Sequence, residues 1–314
     1  MNTSIATRCL VSLSLTLAAC GGSTANSQGG GDTSSGGASQ SYTIRMHRPA
    51  RVGLRTRQTH VGSSRELRVV RANGAEQPRS EQQTHVEFDA VAEVLAVNSV
   101  SKPTRVRYTV ERFTSSDGEQ SSAVLAAGTT IEVAFAASSE ESVISVAGSP
   151  ASEAIRKALN DAINLTVSDE NEDAVFGTRT PRAVGASWPA NIEPLRRQME
   201  QGPLEVPADG TQATVTLAGV VNREPGNPLL DVRGNVEINN ARLRSMPAGF
   251  TSMTITMQMR MRSLFSSTDL EALPSETESS MDTRAHGSGT VQGASIELDI
   301  ESHSERRATY VVVQ

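Results

Sequence analysis

One stretch carries a row of five regularly spaced side chains, four of them thioethers that could do chemistry. In residues 251–262, Met253, Ile255, Met257, Met259 and Met261 recur at every second position, and Thr254, Thr256, Gln258, Arg260 and Arg262 fill the positions between them. A period of two puts the first set on one face of a strand and the second on the other. A row of thioethers could bind Cu(I), flexible methionines could line a cavity that adapts to acyl chains, or the row could pack as plain core. Ile255 breaks the sulfur row and no histidine lies in the stretch, so core packing and a cavity both rank above copper.

Other candidates give less. His47, His60, His85, His286 and His303 are scattered at polar strand positions without the H-E-x-x-H spacing of a zinc helix, and each reads as a surface residue. No G-x-S-x-G elbow is present; Gly287-Ser288-Gly289 falls in a glycine-rich strand. The run Ser168-Asp169-Glu170-Asn171-Glu172-Asp173 lacks the alternating ligands and central glycine of a calcium loop and reads as solvated. No two carboxylates can be assigned to one cleft. The expectation is a protein that is not an enzyme, with no cofactor, no catalytic residue and no metal site.

The two cysteines are Cys9 and Cys20. Arg8 followed by the short apolar run 9–17 and by Ala18-Ala19-Cys20 has the shape of a secretory signal, too short to span a bilayer as a helix. Leu17-Ala18-Ala19-Cys20 resembles the lipobox of bacterial lipoproteins. The resemblance implies cleavage before Cys20, a diacylglycerol thioether and an N-acyl chain on it, and stable attachment to a membrane through several acyl chains. Gly21 rather than Asp after the cysteine favours the outer membrane by the same resemblance, facing the periplasm or exposed at the surface. With Cys9 removed and Cys20 acylated, the folded part has no disulfide and no thiol nucleophile. Three regions follow: 1–19 a signal peptide, 20–41 the lipidated cysteine and a Gly/Ser tether, and 42–314 a single β-rich domain. The tether has no large apolar side chain and reaches roughly 25 Å as a flexible coil.

The net charge of −6 makes nucleic acid an unsuitable partner. Nine arginines from Arg45 to Arg79 crowd the first folded segment, either as solvated strand faces or as a basic edge turned to anionic headgroups. Aromatic residues are 3% of the chain, so the core must be aliphatic and methionine-rich, and sugar-stacking platforms are scarce.

The elements that must position these residues are mostly strands. Short strands are expected at 42–46, 52–61 and 66–72, with Asn73-Gly74 as a hairpin turn. Val86, Phe88, Ala90, Ala92 and Val94 alternate with Glu87, Asp89, Val91 and Glu93, and the apolar phase then slips at Leu95, which predicts a bulge. Further strands are expected at 106–110, 131–135, 142–147, 214–221, 231–238, 251–265, 281–291, 295–301 and 307–313. The clearest helix is 149–165, with Ser149 as N-cap, Pro150 at its first position and Ile155, Ala158, Leu159, Ala162 and Ile163 on one face. A second helix at 191–201 would be interrupted at Pro194. No strand–helix–strand alternation repeats, so the sheet should be antiparallel. The fold class expected is α+β, β-dominated: a curved, half-barrel-like antiparallel sheet packing one main amphipathic helix.

Phe176-Gly177 and Val184-Gly185-Ala186-Ser187-Trp188, after a helix and flanked by long strands, resemble a family of uncharacterised bacterial envelope lipoproteins known as a domain of unknown function, over about residues 42–313. At fold level the chain is similar to the LolA/LppX-like half-barrels, which carry lipids or lipoproteins. It is longer and poorer in aromatics than those. The leading expectation is therefore a membrane-anchored, non-enzymatic structural or interaction module, with another envelope protein as partner. The alternative is a carrier of a lipid or other hydrophobic ligand, whose apolar groove would be lined by Met253, Ile255, Met257, Met259 and Met261 with Leu159 and Ile163 opposite.

Overall fold

The structure is a computed structural model that describes residues 40–313, apart from 119, 137–141, 166, 168–170, 201, 225–226 and 270–271. Cys20 and nearly all of the expected signal and tether lie outside the described residues. The first half of the chain forms β1 (Ser41–Tyr42), β2 (Arg55–Ala72), β3 (Ala75–Glu76), β4 (Ser80–Val97) and β5 (Pro103–Ser116). It continues through β6 (Ser121–Leu125), β7 (Thr130–Ala134), β8 (Val143–Val146) and β9 (Ser149–Pro150). Helix α1 (Glu153–Ala162), helix α2 (Glu172–Val175), β10 (Arg182–Ala183), β11 (Ser187–Pro189) and helix α3 (Ile192–Glu200) connect the halves. The second half is β12 (Leu204–Glu205), β13 (Thr211–Glu224), β14 (Asn227–Leu243), β15 (Phe250–Ser266), β16 (Glu276–Val291) and β17 (Ala294–Val312).

β1 pairs with β10; the other fifteen strands form one antiparallel sheet in the order β11-β13-β14-β15-β16-β17-β2-β4-β5-β7-β8-β9, with β12, β3 and β6 paired alongside. The sheet is not closed. Its halves join where β17, the last strand, pairs with β2, the first long one, from Ile296↔Ala72 to Val312↔Thr56. The expected slip after Val94 is a bulge in the pairing of β4 with β5, between Val94 and Ala96.

Several strands are longer than their apolar patterns. Residues 55–72 form one strand across the polar Gly62-Ser63-Ser64, and 294–312 form one strand across Ser302, His303 and Ser304. Each lies in mid-sheet with hydrogen-bonded partners on both sides, so backbone pairing holds stretches that side-chain pattern would not. Conversely, of residues 42–46 only Tyr42 lies in a strand, the two-residue β1.

Helix α1 begins at Glu153, later than the Ser149-Pro150 start. Ala147 and Gly148 both have positive φ and turn the chain into a tight hairpin, so Ser149 pairs with Val146 and Pro150 with Ser145. The N-cap is Ser152, whose hydroxyl accepts from the Ile155 N–H at 3.4 Å. At the other end, Arg306 of β17 donates to the carbonyls of Asn160 and Asp161 at 2.6 and 3.2 Å, placing a cation at the negative end of the helix dipole. Helix α3 runs unbroken through Pro194, which sits in its first turn, where no backbone N–H is needed. It is nearly as long as α1, so the sheet packs two comparable helices rather than one.

Each helix covers its own core. Ala158, Leu159, Ala162 and Ile163 pack with Val86, Phe88 and the β5, β7 and β8 side chains. Leu195 and Met199 of α3 pack with β13, β14 and β15. The opposite sheet face is a lattice of charge: Arg57 pairs with Glu111 at 3.0 Å, Arg112 with Asp89 at 2.9 Å, Arg107 with Glu132 at 2.9 Å and Arg65 with Glu81 at 2.8 Å. Individually such exposed pairs stabilise little. Together with the contacts of Arg68 to Glu66, Arg71 to Asp299 and Arg79 to Glu76 they neutralise most of the arginine-rich first segment.

Candidate functional site

Between the two cores lies a cavity of about 320 Å³. Its floor is the inner sheet face, built from six strands that are consecutive in sheet order: Met261, Ser263 and Phe265 on β15, Thr277 on β16, Tyr310 on β17, Thr56, Gln58 and His60 on β2, Ala92 and Val94 on β4, and Val106 and Tyr108 on β5. The rest of the wall comes from residues 46–54 before β2, from Ile163 and Val167 between α1 and α2, and from Lys102, Phe135, Leu273 and Pro274.

Alternation along β2 turns Thr56, Gln58 and His60 inward and leaves Arg55 and Arg57 outside. The three inward groups are hydrogen-bonded in series: His60 Nε2 lies 2.9 Å from Gln58 Oε1, and Gln58 Nε2 donates to the Thr56 hydroxyl at 2.8 Å. With Gln58 Oε1 as acceptor, the His60 proton is assigned to Nε2. His60 is 6% exposed, against its reading as a surface residue. Burial, aided by the positive charge of Arg306, brings its pKa down to about 4, so its ring is neutral at pH 7 and packs between Phe88 and Tyr310. Burial also pushes the Tyr108 hydroxyl up, keeping it un-ionised.

The segment ahead of β2 is pinned by the region read as a solvated acidic loop. Asp173 Oδ1 accepts from the backbone N–H groups of Met46 and His47 at 2.5 and 3.1 Å. Glu172 takes His47 Nδ1 at 2.8 Å and the Lys102 ammonium at 2.7 Å. Both acids are half-buried. At the segment's other end, Ala50 donates to Ser101 O at 2.7 Å and Gly53 to Val94 O at 2.9 Å. Arg48 is thereby held over the cavity at 9% exposure. Its guanidinium lies 4.7 Å from the Phe265 ring centroid and donates through Nη1 to the Asp269 carbonyl at 3.2 Å.

Of the residues read as a groove, Met261 and Ile163 meet in this cavity. Met253, Ile255, Met257 and Met259 lie on the predicted face of β15 but are packed in the α3-side core, and Leu159 is packed in the α1-side core. Arg48, His60, Lys102, Glu172 and Asp173 take their places in the site from contacts across long sequence separations, 127 residues for Met46 with Asp173 and 221 for Arg48 with Asp269, which residue types and spacing do not show. The one local signal was polar residues alternating on β2 where apolar ones belong.

The G-small-S-W stretch is structural. Gly185 adopts φ +84° at the turn before β11, and Trp188 is buried with its indole N–H donating to Phe176 O at 2.9 Å. His60 bonds to Gln58 and His47 to Glu172. Among the described residues no group of three or more His, Asp or Glu is placed to hold a metal ion, and no helix is long and apolar enough to cross a membrane.

No family model and no curated protein matches the chain. Among solved structures it is similar to lipovitellin, described for its lipid–protein interactions, at 6% identity and a TM-score of 0.26. That match covers 84% of this chain and 26% of the other, so the chain spans about a quarter of lipovitellin's length. The COG4313 outer membrane channel from Pseudomonas putida F1 matches at 9% identity and a TM-score of 0.17, covering 85% of this chain and 98% of the channel. OpdQ of Pseudomonas aeruginosa matches at 7% and 0.20, covering 83% and 98%. Scores this low establish neither a shared fold nor a shared function.

Proposed function

We propose that the protein is a non-enzymatic envelope lipoprotein that binds a small hydrophobic ligand in the cavity beneath residues 46–54. The observation that carries this is a mainly apolar cavity of about 320 Å³ contacting six consecutive strands, within the range that holds small-molecule ligands. In a flat sheet β5 and β15 would stand about 24 Å apart. Their sharing one small cavity supports a curved, half-barrel-like sheet with the ligand on its concave side. The buried polar ladder Thr56-Gln58-His60 gives a ligand's polar end a place to bond.

The anchor reading rests on Leu17-Ala18-Ala19-Cys20 and on the Gly/Ser tether that follows. Acylated Cys20 holds the protein to the outer membrane, and the tether sets the domain clear of the headgroups. Cys20→Ser then abolishes acyl labelling and releases the protein from the membrane fraction. Retention of the variant in membranes, with no label on the wild type, contradicts it.

The ligand reading is tested by organic extraction of the purified full-length protein followed by mass spectrometry. It predicts about one non-covalent, single-chain amphiphile per protein. Protein free of such a compound favours the second reading, a purely structural module, which draws support from the tightly packed Met253, Met257 and Met259.

A further inference from the structure

Resting on the reading of this cavity as a ligand site, we infer that its occupant is a single-chain carboxylic acid, with the carboxylate against Arg48 and the chain along the apolar wall formed by Val94, Val106, Met261 and Phe265. Three charged or chargeable nitrogen groups besides Arg48 bear on the cavity, and each is accounted for. Lys102 and His47 are held by Glu172 at 2.7 and 2.8 Å. His60 is bonded to Gln58 and uncharged at neutral pH. Arg48 differs. Its Nη1 has the Asp269 carbonyl and its plane has the Phe265 ring, but its buried Nε–H has no acceptor.

Buried side-chain donors are normally satisfied, and a buried guanidinium is the group best suited to a carboxylate. Asp173 and Asp269 act on Arg48 through space, and burial outweighs them, lowering its pKa to about 10. Asp173 Oδ1 is already engaged by two backbone N–H groups. An anion at Nε would satisfy the donor and offset the penalty on the buried charge.

Size narrows the class. A cavity of about 320 Å³ lies at the small end of the range that holds small-molecule ligands. That suits a medium-length single chain; a two-chain phospholipid is too large. Phe265, whose ring face lies beneath the guanidinium, is followed along the same face of β15 by Ser263 and Met261, so the wall leads away from the charged end.

The test is calorimetric titration of the full-length protein, stripped of bound lipid, with decanoate and with decanol. These share a chain and differ in the charge at its head. Decanoate should bind about tenfold more tightly than decanol or better, as a charge-assisted contact to a buried cation requires. Arg48→Gln should bring the two affinities together, and Arg48→Lys should retain part of the preference. Equal affinities in the wild type overturn the carboxylate assignment and leave the cavity as a ligand site. Binding of neither compound overturns the ligand reading itself. The wild-type comparison needs no variant, so it stands even if Arg48→Gln fails to fold.

Discussion

The α-carbon of Gly62 on β2 lies against the carbonyl oxygen of Asp161 at the end of α1, so closely that an added Cβ would overlap that oxygen. Arg306, directly opposite Gly62 in the β17–β2 register, reaches up to the same carbonyl with its guanidinium. Together they seat the helix on the sheet: the glycine lets the backbones meet, and the arginine caps the last turn.

Gly62→Ala therefore forces α1 off β2 although alanine is the better residue for a strand. A loss of about 1–3 kcal/mol is predicted, as for other overpacked sites. Urea denaturation checks this. An unchanged midpoint would mean that α1 does not rest on Gly62.

His60 makes stability depend on pH. Its folded pKa of about 4 lies below the ordinary 6.5, so between those values the unfolded chain binds the proton and the folded protein does not. Stability is full above about pH 6.5, falls as pH drops toward 4 and levels off below it, by roughly 3 kcal/mol in all. His303, raised by Asp282 and Glu305 against its partial burial, acts in the opposite direction. The quantity to measure is thus the difference between wild type and His60→Gln in unfolding free energy at pH 7 and pH 4. A difference that does not change with pH contradicts the buried neutral ring.

Much of the sheet could be read from residue types. Val86 to Val94 alternate, with Val91 the one exception, because one face meets a core and the other meets water, and the slip after Val94 marked a true bulge. The centres of β2 and β17 could not be read this way. Gly62-Ser63-Ser64 and Ser302-His303-Ser304 have no apolar face, since they run between the two cores, and their strand character comes from pairing on both sides, with one neighbour near in sequence and the other more than 200 positions away. Ser149-Pro150 imitated a helix start because the same residue types serve an N-cap and a hairpin strand. The site was half visible. Met261 and Ile163 were marked by periodicity, but Arg48 and His60 acquire their roles only when the chain closes over them.

The methionine row should divide. Met257 is 1% exposed inside the α3-side core, so Met257→Ala should cost about 2–5 kcal/mol. Met261 borders existing space, where its loss removes fewer contacts, and Met261→Ala should cost distinctly less while changing ligand affinity. Paired thermal melts check the order. Equal losses would mean that Met261 is packed like the rest.

The most direct measurement fills the cavity. Ala92 sits on its floor with two per cent of its surface exposed, and Ala92→Phe places a ring in that space without adding charge. Binding of the neutral fluorophore N-phenyl-1-naphthylamine is compared between wild type and variant, with circular dichroism confirming the same strand content. A ligand cavity at this place gives saturable binding of about one dye per wild-type protein and loses it in Ala92→Phe. Undiminished binding by a folded Ala92→Phe protein would contradict it.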